Sequence, residues 1–153
     1  HYAAEKGHET AVRALIEAGA DVNTVIDDGG TPLFMALRAL IEAGEDVINT
    51  TRDNGVTALY VGAQNGRETV VRALFELGAD INEARDLGAT PLFIGAIQGN
   101  EAVVRALIEL GADVNKANDI GGSPLSASTT PISNVARGNH AAIVQLLRDA
   151  GAV

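Results

Sequence analysis

Cysteine and tryptophan are absent from this chain, and only three Phe and two Tyr stand among its 153 residues. Without cysteine there is no disulfide framework, no thiolate zinc site and no cysteine nucleophile. That absence is compatible with a reducing compartment. No signal peptide opens the chain, so an intracellular, cytoplasmic location is the expectation. Nor does any apolar run approach the roughly 18 residues of a membrane span. Positive charge is scarce too, with 11 Lys and Arg against 20 Asp and Glu and a formal net charge of −9. Phosphate binding needs a basic footprint, so no nucleic acid and no membrane is expected as a partner. Yet 46 % of the residues are apolar. With so few aromatics the core must be aliphatic and rich in Ala, which suits thin helices packed closely.

What the chain does have is a recurring phrase. Gly-Ala-Asp-Val-Asn stands at residues 19–23 and 111–115, and again at 78–82 with Ile81 for Val. A damaged copy occupies residues 44–49. Gly78 and Gly111 lie 33 residues apart, and a fixed period of this size marks one supersecondary unit repeated and stacked. Each unit opens 21 residues before its Gly: Thr57-Ala58-Leu59-Tyr60 precedes Gly78 and Thr90-Pro91-Leu92-Phe93 precedes Gly111. Between opening and Gly there is room for two short helices. In the unit that ends at Gly111 they are predicted over 91–98 and 101–110, the second carrying Val103, Val104, Leu107 and Ile108 as an apolar stripe of helical period. Thr57 and Thr90 are natural N-caps, and Pro91 sits where the first turn needs no N–H donor. Gly111 is placed to close the last carbonyls in a left-handed conformation.

This pattern resembles the ankyrin repeat: a Thr-Pro-Leu-x-x-Ala opening, a helix–turn–helix, then Gly-Ala-Asp-Val-Asn and a finger loop. The resemblance covers essentially the whole chain. It implies an all-α repeat solenoid of antiparallel helix pairs with β-hairpin or loop fingers at right angles. It also implies binding to other proteins, without shared catalytic residues. Five units are expected: 1–23 truncated, 24–49 shortened, 50–82, 83–115, and 116–153 with an insertion.

The linkers after the phrase are regular. Counted from Asn23, Asn49, Asn82 and Asn115, the fourth residue is always Asp and the sixth always Gly. That is turn chemistry, a side-chain acceptor followed by a residue free to take positive φ. The period breaks twice. Gly19 and Gly44 are only 25 residues apart, too few for two full helices between Thr31 and Gly44, whereas Gly111 and Gly151 are 40 apart. Two openings compete in the last unit, Ser123-Pro124-Leu125-Ser126 and Thr130-Pro131-Ile132-Ser133. Only the second restores the standard 21 residues to Gly151, so residues 116–129 are expected as an enlarged final finger. At the other end, His1-Tyr2-Ala3-Ala4 matches the interior of a first helix, which suggests a fragment or a processed product. The incomplete first unit leaves a face for more chain or for another molecule to cover.

Chemistry-bearing constellations are few. His1 and His140 occupy distant units, and His8 follows Gly7, where the family often has His; a linear stack does not let the three converge, so no metal site is expected and their role is structural. The Ser and Thr cluster at 123–130 has no nucleophile elbow and no paired His and Asp. Gly29-Gly30 and Gly121-Gly122 lack a phosphate-loop Lys. No catalytic residue and no cofactor is expected. Arg13/Glu17, Arg38/Glu42, Arg72/Glu76 and Arg105/Glu109 recur four residues apart, predicting a mixed-charge ladder on the outer face. Gly62 and Gly95 stand in first helices where the family favours Ala, a sign either of close helix packing or of room for a partner on the concave side.

The resemblance implies a binding surface at the variable fingertips and the inner face of the first helices. The positions flanking each fixed Asp are Ile26 and Asp28, Arg52 and Asn54, Arg85 and Leu87, and Asn118 and Ile120; the inner-face candidates are Gln64, Asn65, Ile97 and Gln98. Exposed Ile26, Leu87 and Ile120 would form an apolar row within a polar rim. The expected function is a non-enzymatic protein-interaction module. Two alternatives stay open: a structural protein that stacks head to tail into a filament through its first unit, and the regulatory arm of a larger enzyme.

Overall fold

In the computed structural model, residues 55–129 and 137–153 are described. Six α-helices lie within them: α1 (Ala58–Gln64), α2 (Glu68–Glu76), α3 (Pro91–Gln98), α4 (Glu101–Glu109), α5 (Pro124–Thr129) and α6 (Arg137–Asp149). A single 3-10 turn spans Asp86–Gly88, and there is no strand among the described residues. The helices form an all-α solenoid of two layers. First helices α1, α3 and α5 pack side by side, second helices α2, α4 and α6 form the other layer, and each unit is an antiparallel pair.

Local chemistry sets the helix ends. The Thr57 and Thr90 hydroxyls accept from the amides of Tyr60 and Phe93, both at 3.1 Å, and Pro91 opens α3 at a position with no intrahelical partner. At the other end Gly78 takes φ +96 and Gly111 φ +91. The Gly78 and Ala79 amides donate to the Phe75 and Leu74 carbonyls, each at 2.9 Å. Gly111 and Ala112 donate to Ile108 and Leu107, and Gly151 and Ala152 to Arg148 and Leu147. This closure by a left-handed Gly and the residue after it is the Schellman motif. It accounts for the Gly-Ala of the repeated phrase.

The interior is aliphatic, as the composition requires. Leu59, Val70, Val71, Leu74, Leu92, Val103, Val104, Leu107, Ile143 and Leu147 are fully buried. Each such side chain contributes on the order of 1.5–3 kcal/mol. Gly62 and Gly95 are buried among them. A methyl on Gly62 would meet the Val70 side chain at 3.3 Å, and one on Gly95 would meet Val103 at 3.4 Å. Their missing side chains let the two helices of one unit approach; the alternative of space for a partner on the concave side is set aside.

Two sequence expectations change here. The final finger is not enlarged: Ser123-Pro124 opens α5, which lies against α3 as the first helix of its unit. Ala127 joins the core and Leu125 packs against it. Helix placement follows where apolar side chains can be buried, not the residue count to the next Gly, so the additional residues fall between α5 and α6. The charge ladder is also built in another register. Arg72 Nε donates to Glu68 Oε1 at 2.9 Å and Arg105 to Glu101 at 2.8 Å, each bond running to the Glu four residues earlier. Cβ bonds tilt toward a helix N-terminus, so an Arg reaches back more readily than forward. Arg72 then bridges to Glu109 of the next unit at 2.6 Å. These carboxylates, Glu109 foremost and then Glu68, raise the guanidinium above its usual value. Arg13/Glu17 and Arg38/Glu42 lie outside the described residues.

Candidate interaction surface

The rest of the repeated phrase joins one unit to the next. Within a unit, Asp80 Oδ1 accepts from the Asn82 amide and Asp113 Oδ1 from the Asn115 amide, both at 2.9 Å. Between units, Asn82 Oδ1 accepts from the Asp113 amide at 2.9 Å, and Asn115 Oδ1 from the Val153 amide at 3.0 Å. Lys116 Nζ adds a bond to the Asn82 carbonyl at 2.9 Å. On the opposite edge, Asn100 Nδ2 donates to the Ala63 and Gln64 carbonyls at 2.9 and 3.1 Å, and Asn139 Nδ2 to Gly99 at 3.3 Å. Asn100 and Asn139 carried no signal strong enough to single out, since the corresponding residue of the preceding unit is Arg67.

A finger follows each phrase. The first described finger closes with Arg85 N–H donating to Ala89 and Gly88 N–H donating to Arg85, at 3.1 and 3.0 Å. In the second, Asn118 N–H donates to Gly122 and Gly121 N–H to Asn118, both at 2.9 Å. The fingers thus take the loop form of the expected hairpin-or-loop pair. They touch each other through Asp119 N–H, which donates to the Leu87 carbonyl at 3.0 Å. The recurring glycines have two duties. Gly88 takes φ +75, and a Cβ there would lie 3.0 Å from the Asp119 amide nitrogen and 3.1 Å from Asn118 Cα. Gly55 meets Arg85 in the same way, while Gly121 has positive φ but open space around it.

The candidate contact residues are not equivalent in this frame. Leu87 is 67 % exposed and Ile120 88 %, and the finger-to-finger bond sets their tips side by side. Arg85 is half-buried, its guanidinium 5.6 Å from the centre of the Tyr60 ring, so it braces its own finger against α1. Asn118 Oδ1 accepts from the Ile120 and Gly122 amides at 3.2 and 2.7 Å. The turn acceptor of that finger is therefore Asn118, one residue before the expected Asp119. Gln64, Asn65 and Gln98 are exposed on the first helices, whereas Ile97 packs against the core. Ile26, Asp28, Arg52 and Asn54 lie outside the described residues, as do His1 and His8. His140 is buried in α6.

The described hydroxyls of the Ser and Thr cluster are engaged with backbone: Ser123 and Ser126 cap each other reciprocally, and Ser128 and Thr129 donate to the Leu125 and Ser126 carbonyls, both at 2.7 Å; Thr130 lies outside the described residues. A shallow, open groove of about 460 Å³ follows the inter-helix turns, lined by Gly66, Gly99, Asn100, Arg105 and Asn139. Among the described residues no group of three His, Asp or Glu gathers as metal ligands.

A family model described as ankyrin repeats (3 copies) matches residues 36–118. The chain belongs to the ankyrin repeat family. A second model, ankyrin repeats (many copies), matches residues 1–39 and 92–148. No curated protein matches the chain. Ankyrin repeats generally mediate protein–protein interaction, so the surface of this ankyrin stack is where its function is to be sought.

Proposed function

We propose that this chain is a non-enzymatic ankyrin interaction module that binds a protein partner through its fingertips, with Leu87 and Ile120 as apolar anchors and the exposed Gln64, Asn65 and Gln98 of the inner face at the margin. Leu87 carries this reading. Its φ of +71 is left-handed, and it is the one non-Gly residue with positive φ among those described. A branched side chain there costs about 1–2 kcal/mol. It is also mostly exposed, so the fold gains little from its burial. Local strain without a packing return is what a contact residue selected for binding leaves behind. Because the stack is already formed, binding orders few further groups, which favours affinity.

The test is a selection of binders from a random peptide library on the immobilised chain, followed by affinity measurement on Leu87→Ser/Ile120→Ser. Most binders should weaken by roughly tenfold or more, the loss expected when a central apolar anchor is removed. Undiminished binding across the selected set, with circular dichroism unchanged, would remove the fingertip reading.

A further inference from the structure

We infer that the fingertip row accepts a basic, apolar peptide segment, one in which Lys or Arg alternates with leucine-sized side chains. This rests on the fingertip reading above and adds the chemistry of the partner. Each described tip pairs an exposed carboxylate with an exposed apolar side chain: Asp86 with Leu87, and Asp119 with Ile120. The bond from Asp119 N–H to the Leu87 carbonyl sets the two pairs in one row rather than on separate loops.

The cations of the same two fingers turn inward. Arg85 lies against the Tyr60 ring, and Lys116 Nζ is held on the Asn82 carbonyl. The tips themselves carry exposed Asp86 and Asp119 beside the apolar anchors, the Asp119 carboxylate resting on the edge of the neighbouring finger at Gly88, on a chain whose net charge is −9. An acidic segment would meet like charges at each anchor and be rejected. A segment with a cation beside each apolar residue meets an opposite charge at each. Those pairs stay at the wet rim, so they are formed without a large desolvation penalty and raise the association rate. They are also screened by salt.

The experiment uses three fluorescent synthetic peptides of equal length, alternating Lys/Leu, Glu/Leu and Lys/Ser, titrated with the full chain in fluorescence anisotropy at low and high salt. Two charge variants are compared: Asp86→Asn/Asp119→Asn at the tips, and Glu76→Gln/Asp149→Asn, which removes the same charge elsewhere. The Lys/Leu peptide should bind, weaken with salt, and lose roughly three- to tenfold affinity with the tip variant but under about twofold with the control. The inference is overturned if the Lys/Leu peptide does not bind. It is equally overturned if Glu/Leu or Lys/Ser binds as well as Lys/Leu, or if both charge variants lose equally. In those last cases Leu87→Ser/Ile120→Ser separates the two levels. Weaker binding by that variant keeps the fingertip reading and discards only the charge preference, whereas unchanged binding discards both.

Discussion

Replacing Leu87 by Asn should leave the fold as stable as before or slightly more stable while it weakens partner binding. At φ +71 and ψ 15 the Leu side chain carries a left-handed penalty of about 1–2 kcal/mol, and Asn is several-fold enriched in that region. Against this relief stands the packing lost. Leu87 is 67 % exposed, so about a third of a full Leu burial, on the order of 0.5–1 kcal/mol, disappears. The balance lies between zero and about 1.5 kcal/mol in favour of Asn, a rise of up to roughly 5 °C in a chain of this size. Urea unfolding followed by circular dichroism measures it, the midpoint moving while the slope stays fixed. Leu74→Ala, at a fully buried site, is the internal comparison and should cost about 2–5 kcal/mol. A gain in stability with a loss of binding is the signature of a residue kept for contact. If Leu87→Asn instead costs more than about 1 kcal/mol, its side chain supports the fold, and the reason for assigning it to binding is gone.

Three further outcomes follow from the same geometry. Gly88→Ala should cost about 2–4 kcal/mol, since positive φ and a clash with the next finger's backbone add. Gly121→Ala, with open space around it, should cost only about 1–2 kcal/mol, and equal unfolding midpoints for the two would deny that the fingers stack. Asn100→Ala removes two donations into the preceding unit and should cost about 1–2 kcal/mol in denaturant titration. Asn100→Asp should be at least as costly, because a carboxylate then faces two carbonyls. Arg72→Ala should cost less than about 1 kcal/mol, a difference that closes in molar salt. Its raised pKa means that the contribution is present below the usual Arg value and fades only as pH climbs through the higher folded one. It is therefore constant through neutral and mildly alkaline conditions, and a strong dependence of the Arg72→Ala difference on pH there would contradict the bridge.

Much of the fold was legible because it depends on local chemistry. Thr57, Thr90, Pro91, Gly78 and Gly111 act on backbone groups within five residues of themselves, so their types and spacing specify the helix ends directly. Counting back from Gly151 does not find the opening at Ser123, because it measures chain length, whereas α5 is placed by packing Ala127 and Leu125 into the core beside α3. The direction of the Arg pairs is not legible, because a spacing of four is symmetric in sequence and only the tilt of the Cβ bonds makes it directional. Of the contact candidates, spacing alone treated Arg85, Leu87, Asn118 and Ile120 alike. Arg85 braces Tyr60 and Asn118 ties its own turn, and those partners lie where a linear pattern does not reach or does not distinguish.

By itself, then, the order of residues determined the repeat, the helix caps, the aliphatic interior and the family to which the chain belongs, all consequences of periodic burial and of hydrogen bonds closed within a turn. The tertiary structure decided which repeated residues join neighbouring units and which are left facing outward. Asn82 and Asn100 find their partners some 31 to 37 residues away, and Leu87 stands as an exposed tip of positive φ on a finger bonded to the next. Contacts between units depend on three-dimensional register, and a side chain's exposure is settled only when every neighbour is in place.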